Sequence, residues 1–281
     1  MSEIYEAGID ALTFTMRSDD PASHWVAQLY DQYIQQDVKA GNDLKQSGQS
    51  RFSGVRSKHV FMGGDGKHDL FEVKSGYADE IAERIKAESL PIHPTRIDFA
   101  VTYAMRADRE AYTNDLRRIV REAIKRPGQK LPGHTALHEN PDDGNTLYID
   151  TSDKTLVHRT YNKHAEAPGV YPKDAYRHEM QLRTKRAEGA WKKYLKAPSS
   201  QWLARSYLVG FLGKYGIEET WMEDTEPSPA PGKATKSDTE RRLEWLEYTV
   251  MPVYAKLLRA DVSQAALIAM LRRAGLNVIE G

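Results

Sequence analysis

Cysteine is absent from the 281 residues, so the chain has neither disulfides nor thiolate metal sites. Long apolar runs are absent too: nothing approaches the ~20 consecutive apolar residues of a membrane span. The N-terminal residues lack the basic-then-apolar pattern of a secretory leader. These absences suit a reducing cytoplasm, and a cytoplasmic location is expected. A Walker loop, G-x-x-x-x-G-K-[ST], is missing, which argues against ATP hydrolysis. The Gly63-Gly64-Asp65-Gly66 stretch is too short and too hairpin-like to cradle phosphates. Neither a G-x-S-x-G nor a zincin motif occurs. Net charge is missing as well: 40 Lys and Arg balance 40 Asp and Glu. Bulk charge therefore gives no argument for nucleic acid.

What remains is an ordinary globular composition, 40% apolar and 28% charged, long enough for one large domain or two modest ones. Residues 8–16 match residues 96–104 at an offset of 88. Each reads as a strand with Ile9-Asp10 or Ile97-Asp98 near its start and alternating apolar residues after it. Residues 60–73 parallel residues 147–160 at an offset of 87. Both read as hairpins, with Gly64-Asp65-Gly66 and Ser152-Asp153 as turns. Helix-like stretches follow the strands at 21–39 and 107–125, and the hairpin regions at 78–89 and 187–195. The expected fold class is α+β: two pseudo-repeated halves, about 1–92 and 93–225, each an antiparallel sheet backed by helices, around a shared cleft. Together they make a domain over 1–225. Residues 226–237, rich in Pro, Ser and Gly, read as a linker. Residues 238–281 read as a helical C-terminal region. There Asp238 caps a helix carrying Leu243, Leu246, Val250, Val253 and Leu257, with a kink at Pro252. Ser263 caps a last helix, which Gly275 stops.

The strands also carry the candidate chemistry. If Ile97, Phe99 and Val101 face the core, Arg96, Asp98 and Ala100 face the other side. An aspartate inside a strand is costly unless paired. Asp98 is then either one half of a salt bridge or a ligand, and Asp10 holds the matching place in the first half. Met180 and Leu182 facing the core turn Glu179, Gln181 and Arg183 away from it. Asp98 and Glu179 side by side would offer hard oxygens to Mg²⁺ or Mn²⁺. The alternative is an ion pair between Glu179 and Arg177 or Arg183. His178 points opposite to Glu179. His134 and His138 have H-x-x-x-H spacing, but their segment reads as extended, so no helix brings them to one face.

Tyr161 is one of 15 tyrosines. Its place between Arg159 and Lys163 in a predicted strand sets it apart, since all three would share a face. A free phenol, with a pKa of about 10, is a poor nucleophile at neutral pH. Two cations and a metal-polarised phosphate would favour the phenolate. A plain cationic strand face is the alternative. Residues 177–196 carry seven Lys or Arg against two Glu. Arg177, Arg183, Lys185, Arg186, Lys192 and Lys193 are the candidate phosphate contacts, and a solvated face is the other reading.

Asp98 in Arg-x-Asp-x-Ala, Tyr161 in Arg-x-Tyr-x-Lys and Glu179 in Arg-x-Glu follow one another in an order that resembles the Rep_trans-type replication initiators of rolling-circle plasmids and filamentous phages. The resemblance covers about residues 9–196, with a tail pattern at Trp245-Leu246 and Pro252. It implies that Tyr161 is the nicking tyrosine and that Asp98 and Glu179 bind Mg²⁺ or Mn²⁺. Where that family often carries a second acidic residue on the Asp strand, this chain has Thr102, and Asp10 or a water would substitute. The implied activity is metal-dependent, origin-specific nicking and joining of DNA, through a 5′-phosphotyrosyl intermediate and a free 3′-OH that primes synthesis. The implied partners are origin DNA, single-stranded or hairpin, with a host helicase and a second copy of the chain, in a bacterial cell. A mobilisation relaxase would use the same chemistry. A DNA-binding regulator would keep the fold without it, and zero net charge leaves open a structural protein with no nucleic-acid partner.

Overall fold

Period-two patterns recur along the chain, and strands form the centre of the molecule. The computed structural model describes residues 3–105, 109–125, 135–138, 145–149 and 154–229. In order these form β1 (Ile4–Arg17), α1 (Pro21–Lys39), β2 (Lys45–Gln49), β3 (Phe52–Arg56), β4 (Val60–Gly64), β5 (His68–Lys74), α2 (Gly76–Ala87) and β6 (His93–Ala104). Then come α3 (Arg109–Ile124), β7 (Thr135–His138), β8 (Thr146–Ile149), β9 (Leu156–Asn162), α4 (Lys163–Glu166), β10 (Ala175–Arg183), α5 (Lys185–Tyr194) and α6 (Ser200–Leu212). The strands make one ten-stranded antiparallel sheet in the order β2-β3-β4-β5-β1-β6-β10-β9-β8-β7. All lie in the compact unit Met1–Ala234. The helices expected at 238–281 and the turn at Ser152-Asp153 lie outside the described residues.

β1 and β6 are the central pair, laddered from Ile4 against Tyr103 to Thr15 against His93. Each is followed by a helix, four strands and another helix, with α4 as a single turn inserted before β10. The halves join edge to edge, so one face of a single sheet takes the place of the expected cleft. The hairpin match also shifts. β5 borders β1, whereas the matched β9 stands one strand away from β6, with β10 between them. A period-two pattern fits any hairpin equally well, which makes it a poor guide to pairing. The chain leaves β5 for α2 and β10 for α5 through the same uncommon conformation: Ser75 has φ 56° and ψ −145°, Thr184 φ 53° and ψ −128°.

All five longer helices bury against one face. Leu12, Phe14, Ile97, Phe99, Val101, Met180 and Leu182 reach it from the strands. They meet Tyr30 of α1, Ile81 of α2, Leu116 of α3, Trp191 of α5 and Tyr207 of α6. Full burial of such a side chain stabilises by about 1.5–3 kcal/mol. Local signals set the helix ends. Asp20 accepts the Ala22 N–H at 2.9 Å and Pro21 fills the first position of α1. α6 was not expected, although Ser199 caps it through the Trp202 N–H at 3.1 Å and its apolar residues keep helical spacing. The stretch expected as a linker begins inside the fold: Ser228 N–H donates to the Ser206 carbonyl at 2.9 Å. Gly210 permits this approach, since a Cβ there would lie 2.2 Å from the Ser228 carbonyl oxygen. Among the described residues no helix is long and apolar enough to cross a membrane.

Two histidines are buried in the core. His158 of β9 stacks on Phe211, 4.9 Å between ring centres, and lies 5.4 Å from His178 of β10. Neither His158 nitrogen has a hydrogen-bond partner, while His178 Nε2 lies 3.2 Å from Tyr103 Oη. Burial keeps His158 well below the ordinary histidine range, with His178 adding to the effect, and holds His178 at about 3. The unfolded chain takes up these protons near pH ~6.5 and the fold does not. Their contribution is complete above that pH and is lost as pH falls below it, by up to about 1.4 kcal/mol per unit per ring. Glu179 and Glu219, both raised to about 7 chiefly by burial, slope the other way. Comparison with His158→Phe isolates one ring. The variant's stability relative to the native chain should rise steadily as pH falls from about 6.5 to about 5, read by urea unfolding at each pH. A constant difference would mean that His158 takes up its proton in the fold.

Candidate active site

The alternation that sends Ile97, Phe99 and Val101 into the core leaves Arg96, Asp98, Ala100 and Thr102 on the opposite face of β6. Across the ladder on β10 stand Arg183, Gln181, Glu179 and Arg177. One strand further, β9 sets Arg159 opposite Glu179 and Tyr161 opposite Arg177. β1 adds Asp10 at a break in register between Ile9 and Ala11. This bulge sends both Ile9 and Leu12 to the core and leaves Asp10 as the extra residue. A small residue, Ala100, stands beside Glu179 in the middle, while Gly8 of β1 makes room for Asp79 of α2.

Each acid on this face is paired with an arginine, and two of them share one. Arg96 holds Asp98 through Nε, 2.9 Å from Oδ1, and through Nη2, while Gln181 donates to the same carboxylate at 3.2 Å. Arg159 Nη2 lies 2.7 and 2.8 Å from the two oxygens of Glu179. Arg177 reaches across β6: Nε donates to Thr102 Oγ1 at 2.7 Å, Nη1 to Asp10 at 2.7 Å, and Nη2 to Glu6. Burial alone would raise the Asp10 carboxyl, but Arg177, then Lys163 and Arg159, hold it below the usual carboxylate range. Arg177 is 1% exposed, so in this state it is an internal pin and not the surface phosphate contact expected of it. Thr102, at the place of a second acid, serves this arginine.

Tyr161 is 5% exposed and donates its hydroxyl hydrogen to Glu179 Oε2 at 3.1 Å. The Arg159 guanidinium lies 5.3 Å from the ring centre and the Lys163 ammonium 5.8 Å. β9 ends at Asn162, so Lys163 opens α4 instead of continuing the strand. Its side chain still turns back to the phenol and pairs with Glu166. The two cations do not prevail over burial. Burial first, then the Glu179 charge, raise the phenol well above its ordinary range, against Arg177 and Arg159. Glu179 itself is raised to about 7 by burial, with Asp10 and Asp98 adding and Arg159 opposing. The result is a protonated phenol hydrogen-bonded to a buried carboxyl that titrates near neutrality.

The basic run 177–196 does not form one strip. Arg183, exposed at the end of β10, stands opposite Arg96 on the polar face. Lys185 and Arg186 open α5, where Arg186 Nε donates to Thr155 Oγ1 at 3.0 Å. Lys192 and Lys193 are exposed in the last turn of α5, which packs through Ala187, Ala190, Trp191 and Tyr194 into the core on the other side of the sheet. Proximity in sequence misleads here, because the turn at Thr184 carries the chain from one layer to the other.

Among the described residues no three His, Asp or Glu side chains converge closely enough to hold a metal ion. His134 lies outside the described residues. Asp98 and Glu179 are diagonal neighbours on adjacent strands, positions typically about 7–8 Å apart. Glu179 Oε1 accepts no well-aligned hydrogen bond, although Arg159 lies 2.7 Å away. These hard oxygens suit an ion that takes one or two carboxylates and completes its shell with water and substrate phosphate, as Mg²⁺ does. Asp10, held by Arg177, is a poorer donor.

The fold and this face define an α+β protein whose single antiparallel sheet gathers a tyrosine, acids and arginines on the side away from its helices. The chain belongs to the replication initiation factor family, whose model matches residues 95–270, more than half of its 281 residues. That span holds Asp98, Tyr161 and Glu179 and leaves out Asp10. The chain is similar in fold to the solved rolling circle replication initiator protein from Geobacillus stearothermophilus, with a TM-score of 0.51 and 15% identity over 81% of this chain and 92% of that one. No curated protein matches it.

Replacing Arg177 with Met would leave Glu6 and Asp10 without their shared cation. Stability should fall by about 3–5 kcal/mol, measured by urea unfolding. Arg183→Met, at the exposed strand end, should stay within about 0.5 kcal/mol of the native chain. Similar losses in the two variants would mean that Arg177 is no internal pin.

Proposed function

We propose that this chain starts rolling-circle replication by nicking and rejoining one strand of origin DNA. The observation that carries the reading is the hydrogen bond from Tyr161 to Glu179, 3.1 Å long, with Arg159 and Lys163 flanking the ring. Membership of the replication initiation factor family supports it, as does the likeness in fold to the Geobacillus initiator. Tyr161 Oη attacks the scissile phosphorus, the bond from phosphorus to the 3′ oxygen breaks, and the phosphate stays on the enzyme as a 5′-phosphotyrosyl ester. Glu179 accepts the phenol proton, and the departing 3′ oxygen takes one from solvent. Arg159 and Lys163 stabilise the charge that develops on the phenol and the phosphate. The ester retains the bond energy of the phosphodiester, so rejoining needs no nucleotide, in keeping with the missing Walker loop. Arg96, Arg159 and Arg183 meet the phosphates that flank the site. Asp98 and Glu179 would hold Mg²⁺ or Mn²⁺, which when bound polarises the phosphate as a Lewis acid.

Tyr161→Phe removes one hydroxyl, and the covalent adduct with labelled single-stranded origin DNA should vanish on denaturing electrophoresis while DNA binding persists. An adduct that still forms would remove Tyr161 from this role. Asp98→Ala should lose cleavage supported by Mg²⁺ or Mn²⁺, and cleavage at the native rate would discard the metal pair. A regulator without chemistry would bind the DNA and leave it intact.

The position of the cations gives a separate outcome. Arg183→Ala should reduce the slope of log affinity against log salt by about 0.7–0.9, the effect of one phosphate contact. Lys192→Ala with Lys193→Ala, behind the sheet, should leave it unchanged. The reverse pattern would place the DNA on the helix side.

A further inference from the structure

A second phenol sits in the same network. Tyr171 lies in the connection that returns the chain from α4 to β10. His164 of α4 fixes this loop, its Nδ1 2.7 Å from the Tyr171 carbonyl oxygen. The loop sets Tyr171 against Lys163, whose ammonium lies 5.4 Å from the Tyr171 ring centre and 5.8 Å from that of Tyr161. One cation thus serves two tyrosines. Tyr171 also has an acid and an arginine of its own: its hydroxyl donates to Glu6 Oε2 at 2.5 Å, and Arg177 Nη2 reaches it at 3.3 Å. Phenol, carboxylate, guanidinium and lysine repeat the set around Tyr161, where Glu179 and Arg159 fill the same parts. Core phenols such as Tyr30 and Tyr207 have no hydrogen-bond partner at all. Tyr171 is half-buried, more open than Tyr161.

We infer that Tyr171 is a second nucleophile of this centre, acting while Tyr161 carries DNA. The inference rests on the nicking reading above. One tyrosine can hold one 5′ end. A strand copied once around must be cut again while that end is still attached. Tyr171 Oη attacks the phosphorus of the regenerated site, the bond to its 3′ oxygen breaks, the phenol proton passes to Glu6, and the departing oxygen is protonated from solvent. The 3′-OH so formed attacks the phosphotyrosine at Tyr161, which releases that phenol and closes the circle. Each step exchanges one phosphoester for another and needs no further reactant.

The test uses the full chain and two origin oligonucleotides of different mass. The first carries its nick site near the 3′ end, so the short cut fragment diffuses away and traps the adduct. The purified adduct then receives the second, and peptides are mapped by mass spectrometry. The first label should lie on Tyr161 and the second on Tyr171. In Tyr171→Phe the yield of second label per first label should be lost, a ratio that does not depend on how much protein is folded. No nucleotide on Tyr171 in the native chain, or an undiminished ratio in Tyr171→Phe, overturns the inference and leaves Tyr161 chemistry standing. A first label that maps away from Tyr161 overturns the nicking reading and the inference together.

Discussion

One buried guanidinium organises the polar side of the sheet. Arg177 starts on β10, crosses β6 beside Thr102, and ends between Glu6 and Asp10 of β1. A buried charge is tolerable only when it is paired and hydrogen-bonded. Its neighbours answer to that demand. The bulge at Asp10 supplies one acid, Ala100 is small, and Thr102 gives an acceptor of the right size. The helices tie the two halves together on one face and Arg177 ties them on the other. The first half, outside the span that the family model matches, is thereby part of the site through Glu6 and Asp10.

Local features of this fold were legible in the sequence. The bounds of α1 follow from Asp20, Pro21 and an apolar stripe, all within one stretch of chain. The two faces of β6 and β10 follow from Ile97, Phe99, Val101, Met180 and Leu182, because alternation needs no knowledge of partners. Pairing between distant strands was not legible. A period-two pattern does not name its neighbour, which is why the hairpin match slipped by one strand and the halves were expected to enclose a cleft. Arg177 read as a surface cation because its acids lie more than 160 residues away in sequence. Lys192 and Lys193 read as its neighbours because nothing in composition marks Thr184 as the turn between layers.

Tyr161 shows the same division. Its company of Arg159 and Lys163 is written in five consecutive residues. Its state is not, since burial and Glu179 come from the fold and outweigh Arg177 and Arg159. Tyr171 had no local mark at all. Only the return of the chain through α4 sets it against Lys163.

The charge balance of the site bears on the proposed base and on the proposed metal pair alike. Glu6, Asp10, Asp98 and Glu179 face Arg96, Arg159 and Arg177, while Lys163 is engaged by Glu166. The guanidinium groups are already occupied by carboxylates before any DNA arrives. A phosphate entering this face brings further negative charge into a setting of low dielectric, where an uncompensated charge is costly. Something must offset it. A proton on Glu179, whose carboxyl is raised to about 7, is one means. A proton held there from the outset would bar Glu179 from accepting the one that the phenol surrenders, so it must leave before the attack. A hard cation would be the other means, with Asp98 and Glu179 the residues to hold it and its charge competing with Arg96 and Arg159 for these carboxylates. On the proposed mechanism the same crowding of carboxylates would serve both ends, raising Glu179 into the range of a base and offering hard oxygens to a divalent ion.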